Sequence, residues 1–206
     1  MEWLVYNGGR AKLSNANGRK IVRKLGEVRS EIFQELREAN TLLVKKSLIQ
    51  LGQKLKYKPY ASGLSEEKEF LETCSPFVQR ELLYDLAWCT EEENSCYSMN
   101  CLNLVVECEW NHKWKSKRKL EWDSYWKLRE TPYSGFKYDF QKLLLCNAEL
   151  RLMIIQIKKK DDLIPLDKYF NDAIQNYTLL PKGAQFLFLA FFPKGEELYY
   201  KEITKE

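Results

Sequence analysis

Two glutamates separated by one residue stand in an otherwise largely apolar run, Leu102-Asn103-Leu104-Val105-Val106-Glu107-Cys108-Glu109-Trp110. In an extended strand, alternate side chains share a face. Both carboxylates then point one way, and Val106, Cys108 and Trp110 point the other. Like charges so placed repel unless a cation or a basic group sits between them. Asp85 poses a similar problem in Leu82-Leu83-Tyr84-Asp85-Leu86-Ala87-Trp88, because an acid among core-forming residues needs a partner. If the two runs are antiparallel neighbours, Asp85 lies opposite the glutamates. The three carboxylates then make a hard-oxygen site for Mg²⁺ or Mn²⁺. Asp139 and Lys142, three residues apart in Asp139-Phe140-Gln141-Lys142, flank one side of a helix. An ammonium there is suited to stabilising charge on a pentavalent phosphate. Each residue also has a plainer reading. Asp85 is then a sheet-edge acid, Glu107 and Glu109 a solvated strand face with lysine partners, and Lys142 a surface lysine. Asp139 then favours the positive end of its helix.

A basic stretch follows the glutamates directly. In His112-Lys113-Trp114-Lys115-Ser116-Lys117-Arg118-Lys119, the cations Lys113, Lys115, Lys117, Arg118 and Lys119 are interleaved with Trp114. That combination suits phosphate contact with base stacking; the alternative is a solvated charge run, which is also the reading for Lys158-Lys159-Lys160. His112 has no partner fixed by the sequence and is a weak general base. Cys96, Cys101, Cys108 and His112 lack the spacing of a zinc knuckle, and Cys108 falls inside a strand. The chain contains no phosphate-loop, dinucleotide, zinc-protease or nucleophile-elbow motif.

The elements that must position these groups follow from apolar periodicity. Residues 1–7 form a short strand, and Asn7 to Gly18 a loop rich in Gly and Asn. Ile21, Leu25, Val28, Ile32 and Leu36 recur at helical steps, as do Leu43, Leu48, Leu51 and Leu55, with Asn40-Thr41 breaking or capping between them. Lys56 to Ser65 reads as a loop, and Ser65 caps a short helix through Leu71. Leu82 to Cys89 is a strand, Thr90 to Met99 a polar connection, and Leu102 to Trp110 a second strand. Trp122 to Leu128 is helical, Thr131 to Gly135 a turn, and Lys137 to Cys146 a helix. Leu150 to Ile157 is a buried strand and Leu166 to Tyr177 a helix. Ala184 to Phe192 and Leu198 to Ile203 pair as a hairpin across Pro193-Lys194-Gly195. This alternation predicts a single α/β domain over 1–206: a central mixed sheet flanked by helices, with a helical N-terminal portion.

The series Asp85, then Glu107-Cys108-Glu109, then Asp139-Phe140-Gln141-Lys142 resembles the PD-(D/E)xK, or restriction-endonuclease-like, nuclease superfamily. That family's core runs helix, three strands, helix, strand. The resemblance covers about residues 19–157, with 163–203 adding a helix and a hairpin. Tyr84 stands where the family has proline, and Glu109 where it has lysine; Lys142 is placed for a lysine supplied by the following helix. The resemblance implies Mg²⁺- or Mn²⁺-dependent phosphodiester hydrolysis, most directly of DNA. Asp85, Glu107 and Glu109 would hold metal and Lys142 would assist, with an acid from the first helix, such as Glu31, joining them. The alternative keeps the fold as an inactive nucleic-acid-binding or protein-interaction module. Restriction-type enzymes commonly dimerise, so a homodimer is a further implication.

Bulk properties accommodate this. The net charge of +4 permits a polyanionic partner without demanding one. No stretch has the length and apolarity of a membrane span, and the N-terminus lacks the pattern of a signal peptide. Six cysteines without a dense disulfide framework fit reduced thiols, so the chain reads as cytoplasmic and not membrane-bound.

Overall fold

The computed structural model describes residues 2–34, 37–74, 77–79, 82–91, 99–110 and 131–206. In chain order the main elements are Leu4–Val5 (β1), Ala16–Glu27 (α1), Arg29–Gln34 (α2), Arg37–Lys54 (α3), Lys58–Ala61 (β2), Lys68–Thr73 (α4), Leu86–Glu91 (β3), Met99–Glu109 (β4), Ser134–Leu145 (α5), Leu150–Gln156 (β5), Leu163–Asn176 (α6), Gln185–Phe192 (β6) and Glu197–Thr204 (β7). The seven strands form one mixed sheet in the order β1-β7-β6-β5-β4-β3-β2.

The centre of the sheet is parallel. β4, β5 and β6 run the same way, with α5 and α6 in the crossovers that parallel neighbours require. β5 and β6 bury almost every side chain, so the sheet needs cover on both faces. Antiparallel strands extend it at either side: β3 and then β2 beyond β4, β7 and then β1 beyond β6. A mixed α/β sheet flanked by helices is therefore what the apolar periodicity predicts and what the chain forms.

Alternation along β4 fixes which side chains meet which helices. Leu104 and Val106 belong to the apolar layer that includes Ile21, Leu25, Val44 and Leu48 of α1 and α3. Val105 belongs to the opposite layer, with Phe136, Phe140 and Leu143 of α5 and Phe170 of α6. The odd-numbered positions of β4, including Glu107 and Glu109, thus share the face of α5. That face is rich in aromatics: the rings of Phe170 and Phe188 stack at 4.4 Å, and Phe140 meets Phe170 edge-on at 4.8 Å.

On the other face, α3 is tied to the sheet at two points. The indole N–H of Trp88 on β3 donates to the Leu48 carbonyl at 3.0 Å. Gly52, one turn on, is the only residue type that fits above that indole, since a Cβ there would come within 2.6 Å of Nε1. At the other end, Trp110 Nε1 donates to Thr41 Oγ1 at 2.7 Å, anchoring the end of β4 to the start of α3.

Several boundaries differ from the sequence reading. The stripe from Ile21 to Ile32 is divided between α1 and α2, with Val28 capping the end of α1. Asn40-Thr41 does not separate two helices but lies inside α3. The supposed loop at 56–65 contains β2. Residues 65–67 precede α4 rather than starting it, and its N-cap is Glu67, not Ser65. β3 starts at Leu86, not Leu82, and runs to Glu91; β4 starts at Met99. Ser134 and Gly135 already belong to α5, while α6 starts at Leu163. The helix expected over Trp122 to Leu128 and most of the connection after Thr90 lie outside the described residues. Among the described residues, no helix is long and apolar enough to cross a membrane.

Candidate functional site

The register between β3 and β4 pairs Leu86 with Val106 and Ala87 with Val105. One residue before the ladder begins, Asp85 continues that register opposite Glu107. Its Oδ2 accepts the backbone N–H of Cys108 at 2.8 Å. The segment leading to it is bent, and Leu83 adopts a left-handed backbone with φ of 71°. That conformation disfavours a branched side chain, so the surrounding structure holds the turn before Asp85.

Glu107 is the most enclosed acid of the group, at 2% exposure. Its Oε2 accepts from Lys142 Nζ at 3.1 Å, and the same ammonium lies 2.8 Å from Asp139 Oδ1. The other oxygen, Oε1, is buried and has no hydrogen-bond partner among the described residues. Asp85 is approached from the opposite face by Lys45 of α3, whose Nζ lies 3.5 Å from Oδ1 and donates to the Ser62 carbonyl at 3.2 Å. Two carboxylates at the end of β4 thus meet one lysine from each helical layer.

Burial and mutual repulsion dominate the electrostatics. Glu107 is pushed up to about 8, first by burial and then by the charge of Asp85, with Lys142 pulling the other way. Asp85 is also raised by burial, against the opposing effects of the Cys108 N–H and Lys45. Burial works against the Lys142 ammonium, but Asp139 and Glu107 outweigh it and raise its pKa. At neutral pH the cluster therefore tends to hold a proton on Glu107 and keeps Lys142 charged.

Glu109 shares the face of Glu107 but lies two residues further along β4, about 7 Å on, and is half-buried. The charges that act most strongly on Glu107 are those of Asp85, Lys142 and Asp139. Among the described residues, no group of three or more His, Cys, Asp or Glu side chains forms a metal-holding cluster. Asp85 and Glu107 act directly on each other, and Glu109 follows on the same face of β4. Glu31 is exposed on α2; the helix that reaches the acids is α3, and it brings Lys45. The basic stretch Lys113, Trp114, Lys115, Lys117, Arg118 and Lys119 lies outside the described residues, as do Cys96 and His112.

Sequence reasoning also passed over a polar group beside Glu107. Arg151 is 1% exposed within β5, a strand read as continuously apolar. Its guanidinium donates to the Cys146 carbonyl at 2.8 and 3.3 Å. The Tyr84 phenol, next to Asp85, bonds the Cys146 thiol and feels both Glu107 and Arg151. Burial and the thiol push it up to about 12. The available signal was one arginine in a run of otherwise apolar residues, which marks a buried cation needing partners.

Comparison of the chain with protein-family models, with curated proteins and with solved structures finds no match.

Proposed function

We propose that the protein is a metal-dependent nuclease acting on DNA, with Asp85 and Glu107 as the metal-holding carboxylates and Lys142 as the assisting cation. The observation that carries this reading is the buried, unpartnered Oε1 of Glu107 beside Asp85 and Lys142. Once ionised, a buried carboxylate oxygen without a donor is costly; a proton relieves that cost in the metal-free protein, and a hard cation would take the proton's place. Mg²⁺ is commonly held through one or two carboxylates, with water and substrate phosphate completing its shell, so a pair suffices.

The element order supports the same reading. Setting aside the short α4 between β2 and β3, the elements α3, β2, β3, β4, α5 and β5 run helix, three strands, helix, strand, with Asp85 one residue before the second strand and Glu107 on the third. This is the order and placement characteristic of the PD-(D/E)xK superfamily.

A bound divalent cation would supply charge stabilisation at the phosphate and an acidified water. The chain's own groups do the rest. Asp139 keeps Lys142 charged and fixes its ammonium beside Glu107, where it offsets negative charge building on the scissile phosphate. Lys45 and the Cys108 N–H orient Asp85 from the other side. Glu109, further out on the same face, is positioned to meet substrate or solvent at the mouth of the site.

The test is plasmid nicking with and without Mg²⁺ or Mn²⁺, comparing wild type with Glu107→Gln. Metal-dependent nicking by the wild type alone supports the proposal; equal cleavage by both proteins refutes it.

One observation favours the inactive module instead. Lys142 already contacts both Glu107 and Asp139, so the cluster partly neutralises itself without metal. In that case nucleic acid binds equally well with and without divalent cation, and neither protein nicks.

A further inference from the structure

Among the described residues, a cluster of positive charge lies on α1, away from the carboxylates. Two adjoining grooves, of about 390 and 620 Å³, run along the outer side of α1; one lies between α1 and the end of α3, the other between α1 and the Gly8–Ala11 segment. Lys20 and Arg23 line both. Together the grooves collect seven lysine and arginine side chains against one carboxylate, Glu27. That surplus exceeds the net charge of +4 of the whole chain, so the rest of the molecule is net acidic.

The seven cations are of three kinds, and one, Arg23, is paired with Glu27 at 2.9 Å. Arg19 and Arg29 are held by backbone carbonyls: Arg19 donates to Leu13 and Ser14 at 2.6 and 2.8 Å, and Arg29 to Gly26 at 2.6 Å. Guanidinium groups fixed in advance lose little freedom on meeting a phosphate. Among the described residues, Lys20, Lys24, Lys54 and Arg10 make no side-chain hydrogen bond or ion pair. Lys20, Lys24 and Lys54 line one groove and Arg10 the adjoining one, so an anion lying along α1 would meet several cations that no carboxylate neutralises.

We infer that this α1 face binds the phosphodiester backbone of a nucleic-acid duplex. A membrane surface or a protein partner fits less well, since none of the large exposed hydrophobic side chains lies on α1 or α3. There is no apolar wedge to enter a bilayer and no aromatic anchor for a protein interface. A concave strip of cations with aliphatic stems matches a phosphate backbone, where affinity comes from counterion release. α3 links this strip to the acids: Lys45 sits at Asp85, and Lys54, nine residues on, lines the groove, about 14 Å along the helix axis. The surface rests on the nuclease reading only for the choice of partner.

The experiment measures binding of a fluorescent 20-base-pair DNA duplex in EDTA as salt is varied. Its parent protein is Glu107→Gln, so that cleavage plays no part. Introducing Lys20→Glu, Lys24→Glu and Lys54→Glu together is expected to weaken binding at least about ten-fold and to reduce the log–log salt slope by about 3. The matching triple change to Gln, which adds no repulsion, gives a smaller loss with the same change in slope. Unchanged affinity and slope in both triples overturn the inference. So does a parent that binds phosphatidylserine vesicles but no duplex. Nicking is scored separately, with the same triples built on the wild-type protein: duplex binding through α1 without nicking by the wild type removes the hydrolytic proposal alone, and metal-dependent nicking with normal KM in those triples removes the α1 surface alone.

Discussion

Lys142 bonds one oxygen of Glu107 and leaves the other without a donor. The carboxylate is thus half satisfied by the chain itself, and its remaining oxygen is free for a cation that the chain does not supply. Lys142→Met takes away the existing partner. Because the Lys142 side chain is 38% exposed, the stability cost is expected to be modest, about 1 kcal/mol. The effect on nicking is larger, on the order of a hundred-fold, because the charge acts where the phosphate becomes more negative. Chemical denaturation and single-turnover nicking measure the two separately; wild-type nicking by this variant would remove Lys142 from the mechanism.

Glu107 makes stability depend on pH. Its folded pKa of about 8 lies above its ordinary value of 4.5. Between those values the unfolded chain has lost the proton and the folded chain keeps it, so stability is fully present at low pH and falls as pH rises toward 8. Asp85 is shifted the same way and adds to the fall. Urea midpoints for the metal-free protein should therefore decline from pH 5 to pH 8, by a few kcal/mol at most. In Glu107→Gln the decline should be much shallower. Parallel curves for the two proteins would mean that Glu107 is ionised in the fold.

Metal binding should carry the same signature in reverse. A cation on Asp85 and Glu107 displaces the proton from Glu107, so affinity for Mn²⁺ should rise up to about ten-fold per pH unit below 8. Calorimetry in buffers of differing ionisation enthalpy counts the released proton. Asp85→Asn keeps an oxygen for the Cys108 N–H but loses the charge, and should abolish Mn²⁺ binding while leaving the fold intact. Binding that survives this substitution would locate the ion elsewhere.

The seat of α3 on β3 can be tested without touching any acid. Gly52→Ala places a methyl 2.6 Å from the Trp88 indole nitrogen and should cost roughly 1–3 kcal/mol in denaturant unfolding. Gly9→Ala is the control: nothing lies within 4 Å of its added carbon, and no change is expected. Equal stability in both variants would show that Trp88 yields easily.

What could be read in the sequence was local periodicity. The two-residue period around Glu107 and Glu109 gave their shared face, and the three-residue step from Asp139 to Lys142 gave their common side, on which the structure shows an ion pair. β2 was hidden because Lys58-Pro59-Tyr60-Ala61 contains a proline, which reads as a break yet is tolerated at a sheet edge. The division of α1 from α2 was hidden because Ile21, Leu25 and Ile32 stay buried across it, so the apolar stripe continues where the helix does not. Lys45 left no trace, since its partner Asp85 lies forty positions away and only the packing of α3 on the sheet unites them. Glu31 was favoured for its closeness to an apolar stripe, and it is exposed on α2.

The hydrogen bond from Cys108 to Asp85 ties a side chain on one strand to the main chain of the next. Slippage of β3 against β4 by a single position would break it and bring Cys108, whose side chain emerges on the far side of the sheet, opposite Asp85. Spatial alignment of the acids is therefore inseparable from the pairing of the strands. An insertion or deletion of one residue within β3, or within β4 ahead of Glu107, would erase the constellation even if both acids survived it.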